Sequence, residues 1–313
     1  MKSSKSHQRL LIFLLLVLAL TCVISPWMAL GADWMAAHWP SLLSERVPFS
    51  RVFDRAFMTA GIIAFILARR LLIPAELKTL LGVKLSSASR NLFSGFVLSV
   101  ISMALLVAVM AAIRVFTPYF RLTLAASLSQ VASALAAGIF AGTLEEIFFR
   151  GILFFGLRKH GWALRAYVLA NLFYSLLHFV KPGETYFLHG IDPLAGFRHL
   201  LITFKPFLDP LPLLPGILGL FLIGLILSYA LERTGNLYLS IGLHAGWVFS
   251  LKVMRVFGDF TREDLGWAFG STDPKIVSGV ATWIGILLVG LAIRRLTRPG
   301  SQLATGRPPG ATV

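Results

Sequence analysis

Leu144-Glu145-Glu146-Ile147-Phe148-Phe149-Arg150 sets two adjacent carboxylates and an arginine inside an apolar helical run. No other acid occurs between Glu76 and Glu184. A charge within a membrane helix costs about 2.5–3.5 kcal/mol on insertion scales, so such residues face a bundle interior or a polar cavity and mark function by default. Glu146 and Arg150 are four apart and can pair on one helix face. Glu145 lies about 100° further round the helix and addresses a different neighbour.

The rest of the chain suits that placement. Of its 313 residues, 57% are hydrophobic and 14% charged, and the mean hydropathy is +0.78. Soluble domains carry about 25% charged residues. The composition predicts an all-α polytopic membrane bundle of about eight transmembrane helices. The net charge of +15 is read as helix flanks that orient the spans and touch anionic lipid. No nucleic-acid module is present, and no nucleic-acid partner is expected. A lone cysteine, Cys22, excludes an intrachain disulfide and a CxxC metal or redox site.

Apolar runs fall at 10–32, 53–72, 92–113, 122–157, 162–180, 212–231, 236–254 and 276–293. The first exceeds the roughly 7–15 residues of a signal-peptide core and is read as an uncleaved span. The fourth exceeds the roughly 20 residues a span needs, which predicts tilt, a kink at Gly138 or Gly142, or an end outside the membrane. Residues 75–91 are mixed and basic, as in an interfacial segment. Residues 181–211 form a long connection, of a length more typical of a functional cover than of a plain link. Its histidines, His189 and His199, are expected in solvent. The division is then 1–119 for N-terminal spans and interfacial segment, 120–255 for a catalytic helical core, 256–297 for a final loop and span, and 298–313 for a disordered tail. Eight spans put both termini on one side, and the basic clusters at Lys2–Arg9, Arg69–Arg90, Arg158–Arg165 and Arg294–Arg298 make that side cytoplasmic. The chain is expected in the plasma membrane if it is bacterial.

Two of the seven histidines, His178 and His244, lie inside the predicted spans. In a hairpin of the fourth and fifth runs, Glu145 and His178 stand roughly 22 and 28 Å from the turn, at similar depth. Asn171, Tyr174 and His178 share one face of the fifth run. Ser240 and His244 are four apart on the seventh. A low-dielectric site disfavours ionised carboxylates and draws their proton exchange towards working pH, where a general base operates best. A glutamate there can take a proton from water and return it to a leaving amine, while imidazoles orient the water or bind an oxyanion. The same glutamates and histidines could instead hold Zn²⁺ and activate the water through it. Residue types alone leave both open. His-Glu-x-x-His and Gly-x-Ser-Gly are absent, and Val256-Phe257-Gly258-Asp259 lacks the first glycine of Gly-x-Gly-Asp.

Glu145-Glu146-x-x-x-Arg150, then Tyr174-x-x-x-His178, then His244 resembles the CPBP (Abi) family, which includes type II CAAX prenyl proteases and bacterial bacteriocin-processing and immunity proteins. The resemblance covers about residues 120–255. It implies that Glu145 is the catalytic glutamate, that Glu146 and Arg150 complete its motif, and that His178 and His244 are the two functional histidines. Family members are described both as metalloproteases and as glutamate-type proteases. A zinc site, if there is one, would be Glu145, His178 and His244; otherwise no cofactor is needed. Two departures stand out. Tyr174 replaces the usual phenylalanine, and Val248 occupies a position that often carries asparagine. If that asparagine binds the oxyanion, Asn171 or Tyr174 are the substitutes at hand.

The expected function is an intramembrane endopeptidase acting on a membrane-associated protein or peptide in the lipid bilayer. Glu145 activates water, His178 orients it or relays the proton, and His244 stabilises the oxyanion. The alternatives are a non-catalytic immunity or scaffold protein of the same fold, and a proton-coupled transporter.

Overall fold

The structure, a computed structural model, describes residues 2–39, 46–72, 75–159, 163–180, 186–270 and 276–297. The tail 298–313, the turn residues His160 and Gly161, and Lys181-Pro182-Gly183 lie outside them.

In chain order, α1 is Lys2–His38, α2 Phe49–Leu72, α3 Ala75–Leu81 and α4 Leu85–Ala112. A short strand, β1 (Phe116–Pro118), leads to α5 (Leu124–Glu146), which Thr123 caps by accepting a hydrogen bond from the Ala126 amide. The helix runs on as a π-helix over Ile147–Phe154 and then α6 (Phe155–Lys159). Next come α7 (Ala163–Arg165), a π turn at Ala166–Ala170, α8 (Asn171–Leu177) and α9 (Ala195–Ile202). The last elements are α10 (Leu214–Thr234), α11 (Tyr238–Val256), β2 (Gly258–Phe260), α12 (Gly266–Phe269) and α13 (Val280–Leu296).

Four described helices are long and apolar enough to cross a membrane: Leu15–His38, Leu85–Ala112, Leu124–Arg158 and Leu211–Thr234. The protein is therefore a helical membrane protein, with helix at each of the eight expected runs. Length and hydropathy support four of those runs as spans. Ala163–Leu177 is shorter, α13 has 17 residues, and α11 carries Lys252 and Arg255 in its last turns. The overlong fourth run is not broken at Gly138 or Gly142. Regular α-helix passes through both, and the irregularity is the π-helix that begins directly after Glu146.

The chain divides into two compact units. The first holds residues 1–74 and 177–213. There α1 lies along α2, and α9 packs on both. Cys22, Phe49, Val52, Phe53 and Ala195 form their shared core. His199 corrects the expectation of a solvated loop histidine: it is 1% exposed. Phe49 and Phe53 pack against its ring, and the Tyr186 hydroxyl meets its Nδ1 at 3.0 Å. Burial without a charge partner pushes its pKa down to about 4. His189 is exposed, as expected, and lies 3.3 Å from the Arg46 guanidinium.

The second unit holds residues 75–176 and 214–313, so α4 groups with the later helices. Its centre is α11, packed between α4 and α5. Small residues set the spacing. A Cβ on Gly242 would stand 2.1 Å from the Leu92 carbonyl oxygen of α4. One on Gly142 would stand 2.9 Å from the Ala245 amide nitrogen of α11. Glycine lets the backbones approach where lipid supplies no hydrophobic drive between helices. The entry to α11 is equally specific. Gly235 adopts φ 67° after α10, and the Asn236 side chain accepts the Tyr238 amide at 3.1 Å.

Candidate active site

The close packing of α5 on α11 brings Glu145, Glu146 and His244 together inside the second unit. Glu146 is fully buried. One of its oxygens, Oε1, accepts from Arg150 Nη1 at 3.1 Å and meets His244 Nδ1 at 2.8 Å. Paired with a guanidinium, Glu146 presents a carboxylate, and a carboxylate only accepts. His244 Nδ1 therefore carries hydrogen. The other ring nitrogen, Nε2, faces Glu145 Oε2 at 3.7 Å. Glu145 keeps about a third of its side chain exposed, against none for Glu146. Of the two glutamates, Glu145 is the one an incoming molecule can reach.

Arg150 is held from three sides. Besides Glu146, its Nη2 donates to the Gly224 carbonyl of α10 at 3.3 Å, and its guanidinium lies 4.4 Å from the centre of the Tyr174 ring. Tyr174 is buried and presents an edge-to-face contact to His244, with ring centres 6.2 Å apart. The tyrosine thus closes one wall of the site. Asn171 is engaged elsewhere. Its amide donates to the Tyr167 carbonyl at 2.8 Å and its oxygen accepts from Ser228 at 3.1 Å. Both ends of that side chain tie α8 to its surroundings, so it is not placed as an oxyanion donor. Val248 sits one turn beyond His244 on α11 and brings no polar atom.

His178 stands apart from this description. It belongs to the first unit, in the turn directly after α8 ends at Leu177, and is half-buried. Glu145, Glu146, Arg150, Tyr174 and His244 share the second unit.

The donor set does not fit the zinc alternative. Among the described residues no three His, Cys, Asp or Glu side chains are grouped to hold a metal ion. His244 Nδ1 is held by Glu146 Oε1, so Nε2 is the one nitrogen of that ring that faces Glu145.

The tie from His244 to Glu146, not to Glu145, is what sequence reasoning missed. A signal for the helix pairing was present. Gly138-x-x-x-Gly142 precedes the glutamates and Gly242-x-x-x-Gly246 brackets His244, which is the pattern of close helix contact.

Residues 127–250 match the family model described as type II CAAX prenyl endopeptidase Rce1-like. That stretch is similar to this family. It contains every motif that carried the resemblance to CAAX proteases, and the resemblance holds there. No curated protein matches the chain, and no solved structure does. The matched stretch holds most of α5, all of α10 and most of α11, the elements that carry Glu145, Glu146, Gly224 and His244.

Proposed function

We propose that this protein is an intramembrane endopeptidase that hydrolyses a peptide bond in a membrane-associated protein or peptide by water activated at Glu145. The observation that carries the reading is the 3.7 Å approach of Glu145 Oε2 to His244 Nε2, with Nδ1 held by Glu146. Charge balance decides how that pair works. Arg150 offsets Glu146, and a buried site favours neutrality. One proton then serves Glu145 and His244, whose facing atoms are 3.7 Å apart. With the proton on Nε2, Glu145 is a bare carboxylate and the imidazolium is a donor.

The reaction follows from that state. Glu145 takes a proton from water, and the oxygen attacks the peptide carbonyl. The carbonyl oxygen becomes an oxyanion and receives a hydrogen bond from His244 Nε2–H, a group held ready by Glu146. Glu145 then gives its proton to the leaving amine as the C–N bond breaks. His178, which follows Tyr174 by four residues, is assigned the orientation of the water or the relay of the proton. No step runs through a metal. The basic clusters of the sequence support a cytoplasmic side for both termini.

A non-catalytic scaffold of the same fold is favoured by one observation, the apolar Val248 where a second oxyanion donor would stand. Cleavage separates the readings. Purified protein in lipid is given a library of membrane-tethered reporter peptides, wild type against Glu145→Gln, with and without a strong chelator. The protease reading expects cleavage that the mutant loses and the chelator spares. Cleavage that persists in Glu145→Gln would overturn it.

A further inference from the structure

One built feature of the second unit has no part in the proposed chemistry. β1 and β2 pair antiparallel, with Phe116 opposite Phe260 and Pro118 opposite Gly258. Beside this ribbon lies an open cavity of about 380 Å³, lined by Phe116, Arg121, Met254, Arg255, Asp259 and Phe260. That volume is within the roughly 300–1,000 Å³ of small-ligand pockets. Its position is fixed by the chain. β1 and Arg121 belong to the short link between two helices long and apolar enough to cross a membrane, Leu85–Ala112 and Leu124–Arg158, and a link between two spans lies at the membrane surface. Next to Arg121 in the chain, Tyr119 and Phe120 are exposed, in the manner of the aromatic belt that settles among lipid headgroups.

We propose that this cavity binds the phosphate of an anionic phospholipid between Arg121 and Arg255. Guanidinium forks match phosphate oxygens with two parallel hydrogen bonds. Arg255 is exposed and makes no ion pair among the described residues. Arg121 pairs with Asp259 and donates to the Tyr119 hydroxyl at 3.0 Å. Asp259 is thereby an internal competitor. The Tyr119 hydroxyl, and then Arg121, hold its carboxyl below the usual carboxylate range. A lipid phosphate replaces it on Arg121 without moving the ribbon.

The test is lipid binding by the full chain in neutral detergent, read by native mass spectrometry and by thermal shift. Phosphatidylglycerol, phosphatidylcholine, glycerol phosphate and inorganic phosphate are the probes. Wild type retains and is protected by phosphatidylglycerol over phosphatidylcholine. Arg121→Gln with Arg255→Gln lowers the phosphatidylglycerol affinity by about tenfold or more, with phosphatidylcholine unchanged. Asp259→Asn raises the phosphatidylglycerol affinity several-fold, which keeps the test alive if the double variant fails to fold. Equal binding of the two lipids, an indifferent Asp259→Asn, or equal protection by the soluble phosphates would each overturn the proposal.

Discussion

Glu146 and His244, 98 positions apart in sequence, meet at 2.8 Å inside the second unit, and the same glutamate oxygen takes Arg150. One atom thus fixes both the imidazole and the guanidinium. Truncating one partner of such a buried group strands charge and costs about 3–5 kcal/mol. Arg150→Met alone is therefore expected to lower the unfolding temperature in detergent substantially. The other Glu146 oxygen and Arg150 Nε find no hydrogen-bond partner among the described residues, so the network is only partly satisfied. Replacing both, as Glu146→Leu with Arg150→Met, removes the stranded charge but takes the acceptor from His244 Nδ1, so it should restore part of the lost stability and none of the cleavage. A double variant less stable than Arg150→Met would show that Glu146, through Arg150 and His244 together, is a net stabiliser.

Glu145 carries the opposite expectation. With a third of its side chain exposed, Glu145→Gln is nearly isosteric and should leave thermal stability almost unchanged. General-base catalysis contributes about 10²–10⁴-fold, and kcat for a cleaved reporter should fall by that much. A rise in KM with kcat unaffected would place Glu145 in binding instead.

Helix approach gives a third expectation. Gly242→Ala drives a Cβ to 2.1 Å from the Leu92 carbonyl. Overpacking costs about 1–3 kcal/mol, and here it also shifts the helix that bears His244. Both stability and cleavage should drop. Gly285→Ala on α13 meets nothing within 4 Å and should leave both intact, so the pair of variants separates a local clash from a general intolerance of alanine.

Metal dependence is a fourth expectation. No described cluster of three ligating side chains exists, so cleavage by protein purified in strong chelator should equal that of untreated protein. Activity lost to the chelator and restored by Zn²⁺ would reassign the chemistry.

Much of the helical layout was legible because its signals are local. Apolar runs mark helices, and the isolated Glu145-Glu146-x-x-x-Arg150 stands out against a stretch with no other acid. The partnerships were not legible, because they depend on rotation about helix axes. Nothing in the spacing says that His244 turns Nδ1 to Glu146 and only Nε2 to Glu145. The π-helix after Glu146 changes the phase of everything from Ile147 to Phe154, and hydropathy has no mark for it. Asn171 shares a predicted face with Tyr174, yet its amide is consumed by Tyr167 and Ser228. His199 misled for a related reason. A polar residue in a long connection reads as solvated, but Phe49, Phe53 and Tyr186 converge on it from distant parts of the chain.

That burial yields the last expectation, a pH dependence of the first unit. His199 holds a pKa of about 4 in the folded chain, lowered by burial from an ordinary 6.5. Above pH 6.5 the imidazole is neutral whether the chain is folded or not, and its contribution is complete. Between 6.5 and 4 the unfolded chain binds a proton that the folded chain refuses, so stability falls as pH falls. Below 4 both forms are protonated and the loss stops growing. At about 1.36 kcal/mol per pH unit the loss has an upper bound of about 3 kcal/mol. Unfolding of the first unit, followed by hydrogen exchange at α9 between pH 7 and 4, should show this slope in wild type. His199→Leu keeps an apolar ring of neighbours satisfied but has nothing to titrate, and the slope should flatten. An equal slope in the variant would assign the pH dependence to other groups.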